Sequence, residues 1–503
     1  MVDGLEDEST SAVLGLDWTT DKAKINVDAY STKDKRDGGS PAMVSFTTIK
    51  KVIDAPDGRT NLFPNLYGHQ EAKYIGVSGE YKLLDNLKVI AGVGSAKQNY
   101  QGHLFGTRVV LNNPDKLGEG EGQYYHALQE QKSTTANLGF EGAFDTGSVR
   151  HTVGLRADYL KQDTDRQPTA RGKPPAESVY TINIYDAVAS GGVMPVKPLL
   201  KDYADNEFVS YSLTDQVSFL DDKLQLILGL RYQDMDLVSY THSGATTTAT
   251  KYSEDKVSPS LGILVKPFGE DISLYASYVE GLSKGNPVTE PKDENYGHVF
   301  PPFQTKQYEI GAKYQHGSWL HTLAAYQIDK PSTLTSPYTN PNNSNITQIT
   351  TDGAETSSKG IEYGFSGNAI DDLIVWGNVA YLDAKYKKHT TANLNGNKVQ
   401  GQPEFTAGLG VEYKLPVDGF SVNARGTYVD NQYVDTANTL EIPDYSLLDV
   451  GAKYMVNLGG VDTTFRANID NVTDEKYWAG NFGDGFATVG TARTYKLGVT
   501  FDF

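Results

Sequence analysis

Apolar and polar residues alternate with a period of two at the carboxyl end of this chain. Tyr495, Leu497, Val499, Phe501 and Phe503 share one parity, and Thr494, Lys496, Gly498, Thr500 and Asp502 fill the other. Successive side chains of a strand point to opposite faces, so the stretch predicts a strand with one greasy and one wet face. The pattern recurs upstream. Leu224, Leu226, Leu228, Leu230 and Tyr232 oppose Gln225, Gly229, Arg231 and Gln233, with Ile227 the one exception. Val153, Leu155, Ala157 and Tyr159 oppose Thr152, Arg156 and Asp158. Phe405, Ala407, Leu409, Val411 and Tyr413 oppose Thr406, Gly408, Gly410 and Glu412, and Phe465, Ala467 and Ile469 oppose Arg466, Asn468 and Asp470.

The connections have a rhythm of their own. Strands predicted near 11–18 and 23–30 flank the short turn Thr19–Lys22, and a segment without apolar period, containing Arg36-Asp-Gly-Gly-Ser40, runs on to about Tyr67 as a loop. Pairs near 73–83/87–97, 128–144/149–162 and 207–219/224–236 repeat the unit, with further short turns at 267–271, 315–318, 368–372, 415–419 and 457–461. Each pair is followed by a longer loop. In an up-and-down barrel this puts every short turn on one side and every long loop on the other. The count is about nineteen strands, an odd number, where closed antiparallel bacterial barrels have an even one. The expectation is therefore an odd number of strands missing at the amino end, a count off by one, or, as the minority outcome, closure by a parallel first–last pair.

Charges on the second face are too frequent for the core of a two-sheet sandwich, whereas lipid outside and a hydrated lumen inside accommodate them. Tyr232, Tyr314, Tyr413 and Tyr454 sit near short turns or strand ends on the greasy face, as an aromatic girdle at the lipid–water boundary would. A soluble propeller or sandwich is the competing architecture, and it predicts a protein that stays soluble without detergent. No stretch approaches about 18 uninterrupted apolar residues, so no transmembrane helix is predicted, which leaves a transmembrane barrel untouched. The formal net charge of −18 argues against a nucleic-acid partner, and the absence of Cys removes disulfides and thiolate chemistry. The opening Met-Val-Asp-Gly-Leu-Glu-Asp-Glu lacks the basic start and apolar run of a secretory signal.

Candidate chemistry is sparse. His69, His103, His126 and His298 fall in predicted long loops; none of the nine His has metal-ligand spacing, and His103/His126 and His316/His321 read as accidental pairs. No nucleophile elbow or His–carboxylate–Ser grouping emerges from spacing, and Asp474 and Glu475 read as solvated loop charge. No catalytic residue is assigned.

Three stretches carry a resemblance: Leu274–Tyr278 leading to Gly281–Gly285; Phe300–Tyr314 with Ala324–Pro331 and Ser358–Glu362; and Asn468–Trp478 followed by Gly490-Thr-Ala-Arg493 and the terminal Phe503. Together they resemble the barrel of TonB-dependent siderophore receptors of the Gram-negative outer membrane, ferrichrome or hydroxamate type. The resemblance implies a 22-stranded barrel of which residues 1–503 supply the last nineteen strands, without the family's amino-terminal plug, its TonB-binding segment or about three strands. It implies a ferric siderophore as ligand, with iron held by the siderophore and no protein-bound cofactor. Outer-membrane lipid and lipopolysaccharide lie outside, and the TonB system engages through a plug.

It also implies loop and upper-lumen aromatics as ligand contacts. Tyr100, Phe105, Tyr124, Tyr125, Phe300, Phe303, Trp478 and Phe486 are the candidates, Trp478 and Phe486 foremost, since aromatic rings bury large area at small entropic cost. Tyr180, Tyr185, Tyr203, Tyr433 and Phe482 lie on the same side, and loop packing is the competing reading for each. Arg36, Arg166 and Arg171 are candidate attractors for an anionic chelate. The functional expectation is an outer-membrane receptor for ferric siderophore uptake; the alternative is a plugless passive pore.

Overall fold

The computed structural model describes residues 2–40, 42–64, 66–103, 107–124, 126–167, 179–186, 201–243, 246–285, 287–288, 290–389 and 391–503. A 19-stranded sheet takes most of the chain, and each strand pairs antiparallel with its neighbour in that sheet. All the predicted short turns join hairpins, for example Leu373–Lys388 after Gln348–Ile370 and Val461–Asp470 after Tyr445–Leu458. The greasy parity faces outward: Leu228, Leu230, Leu261, Leu409 and Leu497 are all exposed. So are Tyr232, Tyr314, Tyr413 and Tyr454, where a girdle requires them.

Strands run further on the long-loop side than the alternation predicts. The second reaches Asp37, so Arg36 and Asp37 lie in a strand and not in the predicted loop. The loop expected after residue 236 is not there. Leu224–Ser243 and Thr246–Val265 pair residue for residue as one tall hairpin. Beyond the apolar band both faces of a strand are wet, the period of two loses its contrast, and the sequence signal disappears while the backbone ladder continues.

The first strand, Glu6–Thr19, pairs with Ala23–Asp37 alone among the described residues, and the last, Thr494–Asp502, with Val461–Asp470 alone. The parallel first–last closure is thus not formed. These two edges run in the same direction, and the chain crosses the gap at another level.

That crossing is a second, 6-stranded sheet built entirely from long-loop segments: Val179–Asn183, Glu119–Gln123, Arg108–Leu111, Met43–Ser45, Phe486–Val489 and Trp478–Gly483, in that spatial order. Met43–Ser45, which follows the second strand, pairs with Phe486–Thr488, which precedes the last. Val44, Phe46, Val109, Leu111, Ile184, Val434, Ile442 and Ala487 are fully buried beneath it. The long loops are therefore a folded cap with its own hydrophobic core.

The rim, its cap and the lumen

Trp478 is the pivot of the cap. It is 2% exposed, its ring meets Phe46 edge-on at 5.2 Å, and its Nε1–H donates to the carbonyl of Ile53 at 2.8 Å. Buried indoles find a partner for the N–H in this way. The motif containing it is equally structural. Asn471, 3% exposed and at φ 51°, donates from Nδ2 to the carbonyls of Glu475 and Thr491 and accepts the Glu475 N–H. The Tyr477 ring packs tilted against Tyr445 at 4.3 Å and lies where a side chain at Gly490 would have to be.

Asp474 is not the solvated charge its sequence context suggests. It pairs with Arg59 at 3.0 Å and accepts the backbone N–H of Arg493 at 3.0 Å, so it joins the loop before the last strand to the loop after the second. Arg59 also grips Asp57 at 2.7 Å, and its side-chain hydrogen bonds bring the Asp57 carboxyl down to about 2.

Where this cap meets the barrel wall, histidines gather round one tyrosine. The rings of His69, His103 and His126 lie 5.1, 5.1 and 5.9 Å from that of Tyr67, and the Tyr67 hydroxyl is 2.9 Å from His126 Nε2. The pair His103/His126, accidental by spacing, is thus in ring contact at 5.1 Å, and His316 and His321 likewise both stack on Tyr314. His103 is 1% exposed, and burial, with His126 beside it, pushes its pKa down to about 4. Among the described residues no group of three or more His, Cys, Asp or Glu is placed to hold a metal ion.

The candidate aromatics fall into two groups. Tyr124 shares the cap core with Trp478, and Phe486 lies in the cap sheet with the Arg108 guanidinium 5.7 Å from its ring centroid. Tyr100, 8% exposed, ends its strand on the parity opposite the outward Val93, facing the lumen just below the cap. Phe300 and Phe303 stack at 6.3 Å on another part of the rim, beside the tall hairpin. There Met235, Leu237 and Tyr252 form a separate cluster with Phe208 and Val299, and the Tyr252 hydroxyl accepts the Gly285 N–H. Phe105 and Tyr125 lie outside the described residues, as do Arg171 and the side chain of Tyr180. Arg36 is held by Asp7 at 2.8 Å, and Arg166 lies 5.2 Å from the ring centroid of Tyr203.

Sequence reasoning missed Arg108, Gln123 and Asp293. The carboxylate of Asp293, 1% exposed, accepts hydrogen bonds from Gln348, Thr350 and the Asn295 N–H, and so ties two loops together. A two-residue signal in a loop without period could not have flagged any of them.

The lumen wall is polar and aromatic. The Tyr275 hydroxyl donates to Glu309 at 2.7 Å, and the Tyr275 and Tyr326 rings cover Gly311 and Gly360, where an added Cβ would come within 2.5 Å. A cavity of ≈ 210 Å³ lined by Arg36, Asp57, Thr60 and Thr491 lies under the cap, smaller than the roughly 300–1,000 Å³ of ordinary ligand pockets.

A continuous antiparallel wall with an apolar exterior, a polar interior and folded loops on one rim defines an outer-membrane β-barrel of the receptor type. The chain belongs to the family described as "TonB dependent receptor-like, beta-barrel", whose model matches residues 7–472. This places it in the outer membrane of a Gram-negative bacterium, in a family of transport receptors. It is 27% identical over 514 residues to the ferrichrome receptor FcuA of Yersinia enterocolitica, covering 99% of this chain and 64% of the relative. A probable TonB-dependent siderophore receptor, PiuA of Acinetobacter baumannii, matches at 26% over 98% of this chain and 69% of its own length. Among solved structures, the ferric preacinetobactin receptor BauA of Acinetobacter baumannii superposes with a TM-score of 0.89 at 31% identity, over 100% of this chain and 73% of that one. The chain thus spans about two thirds of the length of the curated relatives it matches.

Proposed function

We propose that this chain is the barrel of an outer-membrane receptor that captures a ferric siderophore at its rim and passes it through the lumen when TonB acts on a plug. The observation that carries this reading is the match to siderophore receptors along essentially the whole chain. Partly buried aromatics at the rim suit the organic shell of a chelate, and iron stays coordinated by the siderophore. The protein then acts as a receptor, not an enzyme, and binds no cofactor of its own. Residues 1–503 are read as one barrel domain. Phospholipid and lipopolysaccharide contact the exposed apolar exterior.

The test is uptake of radiolabelled ferric chelates by cells expressing the full-length gene, with and without TonB. Uptake lost without TonB is the expected result. Equal uptake in both strains would establish the passive pore instead.

A further inference from the structure

On the outward face, each strand leaves the apolar band toward the long loops through a first charged residue. In Ala23–Asp37 the outward series Ile25, Val27, Ala29 and Ser31 ends on Lys33. In Gly68–Leu84, Val77 and Ile75 lead to Lys73, and in Leu87–Gly102, Val93 and Ser95 lead to Lys97. In Ala127–Thr146, Leu138, Ala136 and Thr134 lead to Lys132, and in Val149–Arg166, Leu155, Ala157 and Tyr159 lead to Lys161. These five strands are neighbours in the wall, and each meets the boundary with a lysine. The next three strands place Glu207, Asp234 and Asp255 at the same point. The sign of the boundary thus changes from one sector of the wall to the next.

Register draws the lysines together. Lys73 lies directly opposite Lys97, and Lys97 directly opposite Lys132. Like charges so placed repel one another across a ladder. Two carboxylates serve the three: Glu71 pairs with Lys73 at 2.8 Å, and Glu130 with Lys97 at 2.9 Å and Lys132 at 3.0 Å. Lys161 is 3.7 Å from Asp163. All four lysines are about half exposed, and surface ion pairs of this kind are weak and open to a competing anion. Glu71 and Glu130 stand two residues further from the bilayer, so the lysines are the charges nearest the headgroups. On the bilayer side of the row are the exposed hydroxyl residues Ser95 and Thr134. Beneath Lys73 and Lys97 lies a trough of ≈ 530 Å³, whose lining includes Ala12, Leu14, Ala29 and Ile75. The two alanines between larger side chains leave room for an acyl chain.

We propose that this sector docks a phosphorylated, multiply acylated glycolipid of the outer leaflet, lipopolysaccharide, with phosphate on the Lys73–Lys97–Lys132 row and an acyl chain in the trough. Charge complementarity selects the occupant: three ammonium groups in a row stand where a divalent cation would otherwise bridge lipid phosphates, and the acidic sector beside them repels the same headgroup. The site uses the outer surface of the wall and is independent of what the rim captures.

The test is native mass spectrometry of the purified full-length receptor, delipidated in detergent and titrated at low ionic strength with diphosphoryl lipid A or with phosphatidylglycerol. Wild type should hold lipid A the more tightly. Lys73→Gln/Lys97→Gln/Lys132→Gln should lose about a hundredfold in lipid A affinity, about a factor of five per lysine at an anionic lipid surface. The corresponding triple arginine variant should retain it. Lys306→Gln/Lys359→Gln removes two outward lysines from another sector and should change it less than twofold. If the triple glutamine variant does not fold, Lys97→Gln alone, with about a fivefold loss, carries the same test. Unchanged lipid A affinity in these row variants overturns the proposal. So does an equal loss in Lys306→Gln/Lys359→Gln, or wild type binding phosphatidylglycerol as tightly as lipid A. Chelate binding should be the same in every variant, so failure here leaves the siderophore-receptor reading untouched.

Discussion

Replacing Trp478 by alanine should open the cap and leave the barrel standing. The side chain is 2% exposed, and truncating a buried tryptophan costs about 3–5 kcal/mol in transfer and cavity terms. The Ile53 carbonyl also loses its donor. At about 1.4 kcal/mol per factor of ten, the cap's opening constant should rise by roughly 10²–10⁴. The assay is hydrogen–deuterium exchange of the full-length receptor in detergent, followed at the amides that close the cap. Phe46 N–H donates to Gly485 O at 2.9 Å and Gly485 N–H to Val434 O at 2.7 Å. Peptides covering 43–46 and 478–489 should lose protection, while those from the hairpin strands Leu224–Ser243 and Thr246–Val265 keep theirs. Trp478→Phe retains most of the volume and loses only the N–H, so its effect should be about 1–2 kcal/mol. Unchanged exchange at 43–46 in Trp478→Ala would refute the folded-cap reasoning. Equal loss in the tall hairpin would refute the claim that cap and wall are separately stable units.

Acid should loosen the cap in two windows. His103 titrates near 4 when folded against an ordinary 6.5, so the unfolded form binds more protons between those values and stability falls as pH drops from about 6.5 to 4; His103→Gln should flatten that part of a pH–exchange profile. Asp57, held down to about 2 by Arg59, contributes stability above about 4 that is lost between there and 2, and Asp57→Asn should remove that step. On the outward face, Leu228→Arg should cost about 2–4 kcal/mol in urea-refolding into liposomes, and lumen-facing Gln233→Arg far less. At Gly410 an added Cβ would lie 2.2 Å from the Trp376 ring, so Gly410→Ala should displace the indole, shift tryptophan emission and cost about 1–3 kcal/mol in thermal melts.

What was legible in the sequence follows the membrane. Within the apolar band, lipid on one face and water on the other force strict alternation, and runs such as Leu224–Tyr232 and Thr494–Phe503 announce both strand and orientation. Nineteen strands and every short turn could be read from that contrast. Outside the band it vanishes, so Val238–Ser243 and Thr246–Lys251 read as loop although they pair residue for residue. The cap strands are too short to carry a period: Met43–Ser45 has three residues and Arg108–Leu111 four. Their pairing is decided by partners far away in sequence. Trp478 illustrates the cost. Its position in a long loop suggested a ligand contact, while its surroundings put it in the cap core. Phe486, in the same sheet, is half-buried with the Arg108 guanidinium over its ring.

The cap has a consequence for the order in which the molecule assembles. Wall contacts such as Gln216–Gln225 span 9 residues, whereas Trp478 reaches Ile53 across 425. Loop-closure entropy makes the longer contact about 3 kcal/mol costlier to form from an open chain. Hairpins can therefore add one to the next by local closure, but the strands Met43–Ser45 and Phe486–Val489 can meet only after the intervening wall has curved far enough to bring them together. Cap formation is thus the slow, late event, and protection of its amides is a clock for completed assembly of the wall beneath.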